Sequence, residues 1–206
     1  MKLHHKILKF SVIFFFLYGY SAVAQSAEHI LISKLGVVDR NDNVDYTANA
    51  DRFDFDDDLV ASLGFTYLYM LDNGVAFGVE TFTYKNDIVS TSINDGDATT
   101  THLYGIVEKI FNTGGAFKPF IGLGLGVTSV SINGHLNGDV DDDYNDFAAG
   151  LSYQVFAGAE VKINERFGVT VEYKYFDFEI DDDIGNKNIN IEGDGSALFV
   201  GLAIHL

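Results

Sequence analysis

Six ionisable side chains fall on the expected inward face of strand-like segments that are otherwise apolar or small: Lys34, Glu80, Glu160, Lys162, Glu172 and Lys174. Opposite charges in such a setting support two arrangements. They can satisfy one another in a packed network of ion pairs and hydrogen bonds, or they can line a narrow, gated path for ions. A second group is purely acidic. Asp54, Asp56, Asp57 and Asp58 form one cluster, Asp139, Asp141, Asp142, Asp143 and Asp146 another, and Asp181, Asp182 and Asp183 a third. Clustered carboxylates are the hard oxygen ligands that Ca²⁺ and Mg²⁺ prefer. The run Asp139-x-Asp141-x-Asp143 copies the start of a calcium loop. Tyr144, however, stands where that loop needs its glycine, and Gly150 where it needs a bidentate Glu, so an EF-hand is rejected.

The histidines are scattered. His29, His102, His135 and His205 show no zinc-type spacing with one another, and the chain has no cysteine. Nucleophilic hydrolysis needs a Ser or Asp system with a positioned His. His102 and His135 could supply the base, but nothing around Ser152 or Ser196 marks a nucleophile. The sequence therefore assigns no catalytic, cofactor-binding or metal residue and no cofactor, and a non-enzyme is expected.

These residues must be positioned by a chain that opens with an export signal. Lys2, Lys6 and Lys9 form a basic start, Phe10 to Tyr20 an apolar stretch, and Ala22-Val23-Ala24 a small-x-small cleavage site. The apolar run is about half the ~20 residues a spanning helix needs, which favours a cleaved signal over an anchor. Residues 1–24 are thus read as a signal and 25–206 as one domain. The signal carries three lysines and no acid, so the net charge of −17 becomes −20 without it. So acidic a surface repels nucleic acid and suits cations. Without disulfides, stability must come from the sheet and its surroundings.

Eight strand-length segments follow, near 29–38, 58–71, 75–85, 99–111, 118–132, 147–163, 167–180 and 196–206. Short turns alternate with long polar loops. Asp72-Asn73-Gly74, Asn112 to Phe117 and Asn164-Glu165-Arg166 are the short ones; Asn and Gly tolerate positive φ there. The stretches 39–57, 86–98, 133–146 and 181–195 read as long loops. That alternation of rims belongs to transmembrane barrels, with both termini on the short-turn, periplasmic side.

The faces agree. Leu59, Ala61, Leu63, Phe65, Tyr67, Tyr69 and Leu71 would face lipid. In the fifth segment Ile121, Leu123, Leu125 and Val127 alternate with Gly122, Gly124 and Gly126. In the last, Leu198, Val200, Leu202, Ile204 and Leu206 alternate with Phe199, Gly201, Ala203 and His205. The pattern blurs at Glu108-Lys109, and after Phe176 it suggests a bulge or emergence from the membrane. Tyr67, Tyr69, Phe111, Phe120 and Phe167 read as a periplasmic aromatic girdle, Tyr173 and Tyr175 as an outer one. A soluble lipocalin-type barrel would need charges along its outer face. Here 21 of the 30 acids fall in the four long loops and their edges, which decides for the membrane.

Several stretches resemble the small outer-membrane β-barrel proteins of the OmpA-like, opacity-protein-like superfamily. They are Gly150-Leu151-Ser152-Tyr153-Gln154-Val155-Phe156-Ala157-Gly158-Ala159-Glu160-Val161, Glu172-Tyr173-Lys174-Tyr175-Phe176-Asp177-Phe178, Phe199-Val200-Gly201-Leu202, and Lys118-Pro119-Phe120-Ile121-Gly122-Leu123-Gly124. The resemblance implies an all-β, eight-stranded antiparallel up-and-down barrel in the outer membrane. It departs from the family at its end, where His205-Leu206 replaces the usual aromatic residue, and no peptidoglycan-binding domain is expected.

The leading expectation is a non-enzymatic structural or surface-interaction protein with acidic extracellular loops. A small pore for ions or small hydrophobic solutes is the alternative, and a lipid-modifying enzyme the third. Expected partners are outer-membrane lipids and lipopolysaccharide and the barrel-insertion machinery during biogenesis; the acidic loops either form a solvated, repulsive surface, the plainer reading, or bind divalent cations that bridge to lipid phosphate. N-terminal sequencing of the protein recovered from outer membranes should begin at Gln25; recovery of Met1 would contradict the signal assignment.

Overall fold

The computed structural model describes residues 28–46, 54–55, 59–89, 93–136, 143–184 and 187–206. The signal segment and Asp56–58 and Asp139–142 of the acidic clusters lie outside them. Among the described residues there are nine strands: β1 (Glu28–Tyr46), β2 (Asp54–Phe55), β3 (Val60–Met70), β4 (Val75–Val89), β5 (Ile93–Ile110), β6 (Phe117–Leu136), β7 (Asp143–Lys162), β8 (Phe167–Ile184) and β9 (Lys187–His205). The short β2 pairs only with the outer end of β4. The other eight form a closed ring in the order β4-β3-β1-β9-β8-β7-β6-β5, with β5 returning to β4. Every pairing is antiparallel. Closure leaves no unpaired sheet edge, the condition a β structure must meet inside lipid.

The barrel is apolar on the outside. Leu35, Leu63, Leu125 and Leu151 are 65%, 61%, 63% and 62% exposed, whereas Lys34, Glu80, Gln154, Glu172 and Lys174 are buried within. This inversion rules out the lipocalin alternative. The three short turns close as expected. Gly74 and Gly114 take φ of 76° and 77°, and the side chains of Asn73, Asn112 and Asn164 accept backbone N–H bonds at 2.8–3.0 Å.

The strands outrun their expected lengths at the other rim. The β1–β9 ladder continues to Tyr46↔Ile189 and the β8–β9 ladder to Ile184↔Lys187, across stretches read as loops 39–57 and 181–195. The stretches 86–98 and 133–146 likewise carry strand, to Val89, from Ile93, to Leu136 and from Asp143. Their polarity reports emergence from lipid, not the end of the sheet. Asn188-Ile189-Asn190-Ile191 keeps its period of two throughout.

Two further expectations are corrected. Phe120 is not a girdle residue: Ile121 faces lipid, so Phe120 points inward and is buried. Beyond Phe176 there is no bulge in the β8 ladders; Phe176, Phe178 and Ile180 remain inside while Glu179 is exposed outside. The irregularity lies instead in the β5–β6 pairing, between Asn94 and Asp97. At Glu108-Lys109 the alternation holds, with Glu108 buried and Lys109 donating to the Asn73 carbonyl at the turn.

Glycines make room for the interior rings. Phe156 lies opposite Gly122 and Phe120 opposite Gly158 on the paired β6 and β7. A Cβ at Gly122 would stand 2.5 Å from Phe156 Cε2, and one at Gly158 2.5 Å from Phe120 Cζ. The two rings meet edge-on, 6.3 Å between centroids. Gly122→Val should therefore destabilise the refolded barrel by about 1–3 kcal/mol through overpacking. Gly115→Ala, where no atom lies within 4 Å of a new Cβ, is the control. Urea unfolding followed by circular dichroism compares them, and equal midpoints would contradict the packing.

Candidate functional site: the barrel interior

The interior holds three tiers. The central one contains four of the six charges singled out by sequence. Lys34 rises from β1, Glu80 from β4, and Glu172 and Lys174 from β8. Four steps around the ring separate β4 from β8, so they stand diametrically opposed. Lys34 Nζ donates to Glu80 Oε2 at 2.6 Å and to Glu172 Oε1 at 3.1 Å. Lys174 Nζ lies 2.9 Å from Glu172 Oε1 and also donates to Glu80 Oε1. Two ammonium groups and two carboxylates thus form a closed, neutral set. Gln154 Nε2 donates to Glu80 Oε1 at 3.1 Å and Thr66 Oγ1 to Glu80 Oε2 at 3.2 Å. Lys174 donates in turn to Gln154 Oε1. Its ammonium also sits over the rings of Phe82, Phe199 and Phe156, at 4.9, 5.3 and 5.5 Å, within cation–π range.

The outer tier is aromatic. His102 is fully buried and stacks on Phe82 at 4.3 Å. Phe176 and Phe178 approach it at 4.9 and 5.7 Å. Its Nδ1 lies 2.6 Å from Thr128 Oγ1 and 3.1 Å from Tyr104 OH. Arg40 caps this tier, its guanidinium over the Tyr84 ring and donating to Thr100.

The periplasmic tier holds Glu160 and Lys162, the remaining two of the six charges, with Glu28 and His205. Lys162 is only half-buried and bonds Glu28 at 3.2 Å, not the central set. Glu108 lies inside as well, on β5.

Strand parity in 147–163 already set Gln154 on the inner face, where it is buried. Sequence reading missed Glu108 and Thr66, although parity from Leu103 outward would have placed Glu108 inside. No comparable signal separates Thr66 from other strand threonines. Among the described residues, neither Ser152 nor Ser196 bonds a histidine. His29 bonds Tyr67 OH at 2.7 Å near the periplasmic end of the wall. The side chain of His135 lies outside the described residues, as do those of the acidic clusters.

Solved structures share this architecture. Neisserial surface protein A matches with a TM-score of 0.58 and 15% identity, over 87% of this chain and 99% of that one. The outer membrane protein OprG of Pseudomonas aeruginosa matches at 0.60 and 15%, over 88% and 97%. The attachment invasion locus protein Ail of Yersinia pestis, in complex with the heparin analogue sucrose octasulfate, matches at 0.52 and 12%, over 88% and 100%. At these identities the likeness concerns the fold. No curated protein matches the sequence. The sequence model of an outer membrane protein beta-barrel domain matches residues 13–194.

Glu80 joins both lysines and is the better enclosed of the two acids. Glu80→Leu should cost about 3–5 kcal/mol, the usual penalty for stranding a buried partner. Glu172→Leu should cost less, because Glu80 is more deeply buried and also holds Gln154 and Thr66, which its loss would strand. Equal urea midpoints for the two variants, or no loss in Glu80→Leu, would contradict this ranking.

Proposed function

The chain belongs to the outer membrane protein beta-barrel domain family, and from that premise we propose that it works without catalysis, as a structural and surface-interaction protein. It is an integral β-barrel of the outer membrane. One observation carries the reading: the Lys34–Glu80–Glu172–Lys174 set spans the barrel from β4 to β8, with the His102 tier stacked above it. An eight-stranded barrel has little lumen beyond its side chains, and here that space is taken by paired charges and rings. A groove of about 610 Å³ does exist, but mostly lipid-facing residues line it, among them Val107, Ile121, Leu123, Val155, Ala157 and Tyr173.

What is left to act is the outer rim, whose loop sequences are strongly acidic. Carboxylates there favour divalent cations, and through them lipopolysaccharide phosphate. They disfavour a polyanion of the kind seen with Ail, because like charges would be brought together. The non-enzymatic reading is supported by the hydrogen-bond partners of His102 among the described residues, which are Thr128, Tyr104 and Tyr84, none of them an acid.

Planar-bilayer recording tests the proposal. The refolded wild-type protein should give no steady conductance, and Glu80→Ala combined with Lys174→Ala and Phe82→Ala should raise it. A steady ohmic current through the wild type would overturn the proposal in favour of a pore.

A further inference from the structure

At the periplasmic mouth the His205 ring stands between two carboxylates. Nδ1 is 2.5 Å from Glu28 Oε1 and Nε2 is 2.7 Å from Glu160 Oε1. A neutral imidazole has one N–H and one lone pair, so it can serve only one carboxylate and must set its lone pair against the other. The imidazolium donates to both, and each bond is then charge-assisted.

The site is shaped for this arrangement. His205 and Glu160 are buried, and Glu28 is half-buried. The Glu160 carboxylate fills the space that the missing side chain of Gly168 leaves on β8; a Cβ there would overlap Oε1. The three partners come from β1, β7 and β9. The β1–β9 pairing is where the first and last strands close the ring. Backbone bonds pin the same corner: His205 N–H donates to the Arg166 carbonyl and Leu206 N–H to the His29 carbonyl, both at 2.9 Å.

Other charged groups face the cluster from each neighbouring element. On β7, Lys162 shares Glu28 Oε1 at 3.2 Å. On β6, Lys118 stands opposite Glu160 in register. On β5, the buried Glu108 carboxyl faces the same mouth near Glu160. In the β7–β8 turn Glu165 and Arg166 are exposed. On β1, His29 is turned to the outer wall, bonded to Tyr67. The nearby β8 positions Gly168 and Thr170 carry no charge.

We propose that His205 is a pH-sensitive latch on the barrel's periplasmic mouth, tying the β1–β9 seam to β7 when protonated and releasing one carboxylate when neutral. The sign follows from linkage. Stability supplied by the protonated ring is present on the acid side and lost once the ring gives up its proton.

The mature chain refolded in lipid provides the test, by urea unfolding at pH 5.5 and pH 8 together with ¹⁵N NMR of the histidine rings. We expect the wild-type midpoint to fall between the two pH values, His205→Gln to lose most of that fall, and the His205 ring to carry two N–H protons at pH 5.5. Should His205→Gln fail to fold, Glu28→Gln, at a half-exposed position, should also shrink the fall. An undiminished pH dependence in the variant that folds, or a His205 ring with one N–H at pH 5.5, would overturn the latch.

Discussion

Glu80 and Lys174 meet across the full width of the barrel, and most of the interior is arranged around that contact. A lone charge in this enclosure would carry a desolvation cost of several kcal/mol. The chain avoids it by bringing two lysines and two glutamates to one level, from β1, β4 and β8. Gln154 and Thr66 take further lone pairs of Glu80, and the faces of Phe82, Phe156 and Phe199 surround the Lys174 ammonium. The Lys34–Glu80, Lys34–Glu172 and Lys174–Glu80 contacts join strands that are not neighbours in the ring, so the set links parts of the wall that share no backbone hydrogen bond.

The remaining packing follows from that choice. Rings large enough to flank the ammonium groups need space on a wall of fixed radius. Glycines on the facing strand provide it, as Gly122 does for Phe156 and Gly158 for Phe120. Above the charges the interior turns aromatic, which keeps His102 among rings and hydroxyls. Below them it stays ionic, where the mouth opens to water. The outer surface carries none of this chemistry in the membrane and presents Leu, Val, Ile and Tyr to lipid.

Much of this was legible in the sequence because the period of a strand is fixed. Once Ile121 or Tyr153 is set outward, its neighbours must point in, and Lys34, Glu80, Glu172 and Lys174 were placed inside by that rule alone. Which charge pairs with which was not legible, because it depends on how the eight strands shear past one another around the ring. Strand lengths were misread at the outer rim for another reason: hydrophobicity marks where lipid ends, while the backbone ladder of β8 and β9 runs on beyond it. Phe120 shows the same confusion in miniature, since its type suggested the girdle and its parity placed it inside. His205 was assigned to the inner face, but its two carboxylates lie far away in sequence, at Glu28 and Glu160.

A double-mutant cycle on Glu80 and Lys174 bears most directly on the central contact. Glu80→Leu, Lys174→Leu and the double variant would be refolded in lipid and unfolded in urea. A direct, buried contact predicts that the double variant loses markedly less stability than the two single losses added together, because the second substitution removes a charge the first has already stranded. Losses that simply add would mean that the two side chains do not meet across the lumen, and would contradict the account.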